Sequence, residues 1–169
     1  MPGSHRKKLT FRVDGHVQYN MAGDLLSQKI LNALPSHIGV INHSGVLQFV
    51  NTAWLAFARE NDGDLAAVLP GISYLKVCED SCEREPTEES SAALHGLRQI
   101  LSGKIKDFTL EYPCHSDEVK RWFYMHCQRM VDPSCWVVIS HENVSKQKMA
   151  ENAPMESVQL YQSLFDKNT

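Results

Sequence analysis

The sequence predicts an α+β domain. Three observations carry the prediction: two apolar runs flanking Asn42-His43-Ser44-Gly45 read as a hairpin, amphipathic stretches at helical spacing follow it, and three aromatic and β-branched runs near the end read as an antiparallel meander.

The first 23 residues mix basic and polar positions with Gly3, Gly15 and Gly23 and read as a poorly packed arm. From Asp24, read as an N-cap, DLLSQKILNALP sets Leu25, Leu26, Ile30, Leu31 and Leu34 at helical spacing and stops at Pro35. The hairpin strands are Ile38 to Ile41 and Val46 to Val50, with Gly45 free to take positive φ in the turn. Asn51 then caps a helix carrying Trp54, Leu55, Phe57 and Ala58 that ends at Gly63. GISYLKVCED reads as short and half apolar, and SCEREPTEESS as a solvated polar stretch. Ser90 or Ser91 starts the next helix, where Ala93, Leu94, Leu97, Ile100 and Leu101 form one stripe and Gly103 closes it. The meander runs are Phe108 to Tyr112, Arg121 to Met130 and Cys135 to Ser140, separated by SDE and DPS. A helical pattern returns in NVSKQKMAENA, is interrupted by Pro154, and resumes from Met155 to Phe165 with Val158, Tyr161, Leu164 and Phe165 on one face.

Length suits one domain, at 169 residues. With 43% hydrophobic residues, 22% charged and a net charge of -3, the composition is that of an ordinary soluble protein, and nucleic acid is not an expected partner. No apolar run reaches the roughly 20 residues needed to cross a bilayer and the start lacks a secretory core, so no membrane partner is expected and the location read is cytoplasmic. Five cysteines without an export signal argue for reduced thiols, and without any C-x-x-C they argue against structural zinc; no metal site is expected.

The order hairpin, helices, meander, with HSGVLQFVN before an aromatic-containing helix, LEYPCHS paired with RWF, and the closing WVVISHENVSKQK, resembles a PAS domain. The likeness covers roughly residues 25 to 148. It implies a five-stranded antiparallel sheet with helices packed over one face, a cavity between them, and helical extensions at both ends. The organisation read is a 1–23 arm, a 24–148 PAS-like sensory domain with its leading helix, and a 149–169 helical extension. The resemblance further implies a non-enzymatic sensory module for signal transduction, binding a small ligand or mediating protein-protein interaction. Asn143, Val144 and Ser145 stand where the family has its closing Asp-Ile-Thr or a close variant and are the expected signal relay; Asn can still cap but carries no charge.

The implied cavity would be lined by Val40, Phe57, Tyr74, Leu97, Phe123, Met125 and Ile139, joined by Ile38 and Val137, a largely apolar set suited to a filled core or a modest hydrophobic ligand. The cofactor is left open between none and haem or flavin, the second reading being a redox or gas sensor. His95, the histidine a haem would want, lies about 160° around its helix from the apolar stripe and therefore faces water. No Asn-Cys-Arg-Phe run of the flavin-photosensor type is present.

A third reading is a thiol redox switch at Cys114 or Cys127, with Lys120, Arg121 and His115 as the charge that would activate Cys114. Strand alternation sets Phe123, Met125 and Cys127 on one face and Trp122, Tyr124 and His126 on the other, so Cys114, His115, His126 and Cys127 are expected to scatter. Adjacent Cys114 and His115 cannot form a nucleophile and base pair, which leaves no catalytic residue. Cys78 and Cys82 would share a face only if their segment is helical. With no kinase, cyclase or DNA-binding segment in the sequence, the expected output is a separate protein effector or a longer chain, and a homodimer through the helices at Asp24 to Leu34 and Met155 to Phe165.

Overall fold

Asn51 ties the first third of the chain together. The computed structural model describes residues 21–61, 64–115, 119–131 and 135–151. Helix α1 (Met21–Ala33) leads into strands β1 (His37–Ile41) and β2 (Leu47–Val50), and helix α2 (Thr52–Glu60) follows at once. The fully buried Asn51 carbonyl oxygen accepts from the N–H groups of Trp54 and Ile38, both at 3.0 Å, so one side chain caps α2 and fixes the start of β1. Its amide donates to the carbonyls of Leu31 and Ser36, both at 2.9 Å, which holds the end of α1 against the same corner. Helix α1 is already running at Met21, so Asp24 lies inside it rather than at its cap.

The hairpin turns through Asn42, whose side chain accepts from the N–H groups of Ser44 and Val46, and Gly45 takes φ +77 as expected. Next come a 3-10 turn (Leu65–Val68) and helix α3 (Tyr74–Arg84), a full helix where the sequence suggested a short apolar piece and a solvated stretch. Its apolar stripe is thin, and the cap that starts it, Ser73 accepting from Lys76, precedes few hydrophobic residues. Helix α4 (Glu88–Leu101) is capped by Thr87, not Ser90 or Ser91. Ser90 is the reciprocal member of a capping box, its hydroxyl accepting from the Thr87 N–H at 2.9 Å.

Strands β3 (Asp107–Pro113), β4 (Trp122–Arg129) and β5 (Val137–Asn143) form the meander, and helix α5 (Ser145–Glu151) leaves it. β5 begins later and runs three residues further than the sequence suggested. Among the described residues the strands form one antiparallel sheet of order β2-β1-β5-β4-β3, with a bulge where Val40 pairs Phe49 but Ile41 pairs Leu47. Facing the helices are Ile41, Leu47, Met125, Cys127, Val137 and Ile139, which pack with Trp54, Leu97 and Ile100 into the core.

Gly96 lets α4 lie flat on the ring of Phe108 in β3. A Cβ at this position would sit 2.5 to 2.6 Å from three carbons of that ring. Gly96→Ala is therefore expected to cost about 1–3 kcal/mol by overpacking, read as a lower urea midpoint at unchanged m, with part of the loss recovered when Phe108→Leu is added.

Candidate functional site

Strand alternation decides which side chains meet the helices. In β1 it turns His37, Gly39 and Ile41 inward; in β3, Phe108, Leu110 and Tyr112; in β5, Val137, Ile139 and His141. His37 and His141 are directly opposed across β1 and β5, and both border a cavity of about 180 Å³. Tyr112 closes it from β3, and Tyr74, the first residue of α3, from above. Helix α2 contributes Trp54, Phe57 and Ala58, and the 3-10 turn contributes Val68.

The polar groups of this cavity are organised around His141. Its Nδ1 is 2.9 Å from the Tyr112 hydroxyl and its Nε2 is 3.4 Å from the Tyr74 hydroxyl. Trp54 packs on the same imidazole, ring centroids 5.5 Å apart, and His37 packs on Phe57 at 4.6 Å. Burial holds the His141 pKa down at about 4, with His37 adding to the effect. His37 is also lowered by burial, partly offset by Glu60. Burial raises the pKa of both Tyr74 and Tyr112. All four groups are therefore uncharged at neutral pH, and the cavity has aromatic walls with a neutral hydrogen-bonding floor.

The residues expected as lining fall in three places. Phe57 and Tyr74 border the cavity, whereas Leu97, Met125 and Ile139 belong to the packed core and Phe123 lies beneath His37 and Tyr112. Val40 is on the opposite face of the sheet, paired across β5 with Val138, and Ile38 shares that face. Both are nearly fully buried, so HIGVI is apolar on two faces and its alternation is hidden. His37, Trp54, Ala58, Val68, Tyr112 and His141 were not foreseen as lining. Carrying the period-two count through to Tyr112 and His141 would have found those two.

The thiols part company with the redox reading at Cys127. This residue is fully buried, and burial pushes its thiol up to about 12, the reverse of the exposed, acidic thiol that such chemistry needs. Cys114 is partly exposed at the end of β3, its N–H donating to the Arg121 carbonyl at 2.9 Å. None of the five cysteines is joined in a disulfide, and among the described residues no three His, Cys, Asp or Glu side chains are grouped to hold a metal. His95 is exposed beside Gln99, away from the cavity. The imidazoles do not all scatter, however: His37 and His141 converge.

At about 180 Å³ the cavity is smaller than the roughly 300–1,000 Å³ of pockets for drug-sized ligands. A cavity of this volume does not enclose a haem or a flavin.

Asn143, Val144 and Ser145 join β5 to α5. The Asn143 side chain accepts from the Ser145 N–H at 3.0 Å and from its hydroxyl at 2.6 Å, and that hydroxyl accepts from the Trp122 N–H at 3.0 Å. The Val144 N–H donates to the Trp122 carbonyl at 2.9 Å, so β4 clamps the start of α5. Lys148 then pairs with Glu111 of β3 at 2.7 Å.

No protein-family model matches the chain. A curated relative, the "uncharacterized 104.1 kDa protein in hypE 3'region" of Rhodobacter capsulatus, is 32% identical over 122 residues, which are 72% of this chain and 13% of that protein. The chain thus spans about 13% of the length of the curated relative it matches. Among solved structures, an RNA-binding light-oxygen-voltage receptor superposes with a TM-score of 0.53 at 12% identity, covering 96% of this chain and 42% of that one. A PAS domain from a two-component sensor histidine kinase gives 0.47 at 12% identity, over 73% of this chain and 97% of the other. The five-stranded antiparallel sheet, its strand order and the helices on one face are the PAS fold, and this chain has it.

Proposed function

We propose that this PAS-fold chain is a non-enzymatic sensory module in signal transduction, in which a small molecule in the His141 cavity changes how α5 is held. One observation carries the reading. β5 presents His141 to the cavity and, two residues later on the same face, Asn143, whose side chain caps Ser145 at the head of α5. Movement of β5 against β4 strains the Trp122 contacts and the Lys148–Glu111 pair together, so the relay is Asn143, Val144 and Ser145. The receiver is a protein effector or further domain that reads α5.

Catalysis is disfavoured by the cavity's titration. His141 at about 4, and phenols raised above their usual range, are far from the poise near neutrality of an acid or base. Among the described residues no helix is long and apolar enough to cross a membrane.

The test works with an unidentified ligand. Desalted protein is mixed with a metabolite extract below about 500 Da and followed by thermal shift and native mass spectrometry, a ligand at 100 times its Kd adding about 2.7 kcal/mol. Wild type gains stability and an adduct; Ala58→Leu and Val68→Phe, which fill the cavity, gain neither. An adduct unaffected by both variants, or no adduct at all, overturns the reading.

Homodimer formation is supported by Leu25, Leu26, Ile30 and Leu34, all exposed on or just after α1. The second helix expected to take part, from Met155, lies outside the described residues. Leu26→Glu with Ile30→Glu is expected to turn a dimer into a monomer in light scattering.

A further inference from the structure

The cavity's shape and its hydrogen count together specify a ligand class; the inference rests on the sensory reading above. The walls facing the space are the rings of Trp54, Phe57, Tyr74 and Tyr112. A cavity of ~150 Å³ in a protein core accommodates benzene, so about 180 Å³ accommodates one six-membered ring with a small substituent. No Asp, Glu, Lys or Arg lines it, and an ionised ligand would lose its hydration without gaining a counter-charge.

The floor then sets the substituent. A neutral imidazole has one N–H and one bare nitrogen, and His141 stands between two hydroxyls. One phenol donates to the bare nitrogen, and the other receives the N–H and keeps its own hydrogen for a further acceptor. If the second phenol is Tyr74, the Cys78 sulfur stands beside it to take that hydrogen. If it is Tyr112, no further protein acceptor is found among the described residues, and the hydrogen is left for whatever occupies the cavity.

We propose that the cavity takes an uncharged single-ring aromatic molecule bearing a carbonyl oxygen, and that this oxygen accepts the Tyr112 hydroxyl and fixes the His141 hydrogen on Nδ1. Without ligand the ring hydrogen is on Nε2, donated to Tyr74, and Tyr112 donates to Nδ1. With ligand Tyr112 turns to the carbonyl, Nδ1–H donates to Tyr112, and Tyr74 donates to Nε2. The number of protons is unchanged, since the ring gives one up at Nε2 and gains one at Nδ1. The ligand's arrival is thereby written into the residue that precedes the relay by two positions.

The test uses acetophenone, toluene, benzoate and benzylammonium as probes on the whole chain, with the histidine side-chain ¹⁵N resonances followed by NMR. Acetophenone is expected to bind about fivefold more tightly than toluene, the value of one net hydrogen bond, and to exchange the Nδ1 and Nε2 shifts of His141, which toluene leaves in place. Tyr112→Phe brings the two probes within about twofold and abolishes the exchange of shifts, while Ala58→Leu excludes both. Equal binding of acetophenone and toluene to wild type overturns the proposal, as does an unchanged His141 tautomer at saturation. Tighter binding of benzoate or benzylammonium overturns it while leaving the sensory reading intact. If no probe binds but the metabolite extract still stabilises wild type, the ligand class is wrong and sensing survives; if neither acts, both fall.

Discussion

Asn51→Ala is expected to lower the unfolding free energy by about 2–4 kcal/mol, a large share of the 5–15 kcal/mol that holds a typical domain. The substitution strands the buried N–H groups of Ile38 and Trp54 and releases the carbonyls of Leu31 and Ser36. An orphaned buried donor costs about 1–3 kcal/mol, and the loss of an N-cap about 1 more. The carbonyl partners are only partly buried and regain water, so they add little. Asn51→Asp separates the two halves of the role, since its oxygens can still accept from Ile38 and Trp54 but would face the carbonyls of Leu31 and Ser36 without a donor. Urea unfolding at pH 7 should rank wild type above Asp and place Ala lowest. Equal midpoints for wild type and Ala would show that the corner is held by something else.

Acid should unfold the protein through His141. Its folded pKa of about 4 lies below the model-peptide value of 6.5, so the folded state refuses a proton that the unfolded state accepts. The stability linked to this group is complete above pH 6.5, falls as pH drops from 6.5 toward 4, and levels once the folded form also protonates. The full loss amounts to about 3–4 kcal/mol, from ~1.4 kcal/mol per unit of pKa difference. The groups facing this imidazole are Tyr74, Tyr112, Trp54 and His37, none of which offers a negative charge at these pH values. His37 is depressed in the same direction and steepens the fall. Denaturation at pH 7 and pH 4.5 checks this: wild type should lose more stability between the two than His141→Asn, whose side chain does not titrate.

Much of this architecture was legible because hairpin, cap and meander are local. Gly45, Asn51 and the alternation of Phe123, Met125 and Cys127 announce themselves within a few residues. Helix α3 was not legible, because its packing rests on a few apolar residues in an otherwise charged segment and its cap lies before a Tyr rather than a hydrophobic run. Val40 was misplaced for the opposite reason, an excess of hydrophobicity on both faces of β1. The cavity was the least legible part. His37 and His141 are far apart in sequence, and only the pairing of β1 with β5 sets them side by side. A histidine at the end of an apolar strand, in phase with Val137 and Ile139, was the available signal.

The strand order has a kinetic corollary. β5, the last of the five strands to be synthesised, occupies the middle of the sheet, between β4 and β1, the earliest to be made. The hairpin of β1 with β2 and the pairing of β3 with β4 can each form early, but they remain two separate ribbons until β5 slots between them. Closing so long a loop makes this a high contact-order topology that folds slowly. On the ribosome, the ribbons wait with one flank of each unpaired until residue 143 is clear of the exit tunnel, and that interval is when a nascent chain of this design is most exposed to aggregation.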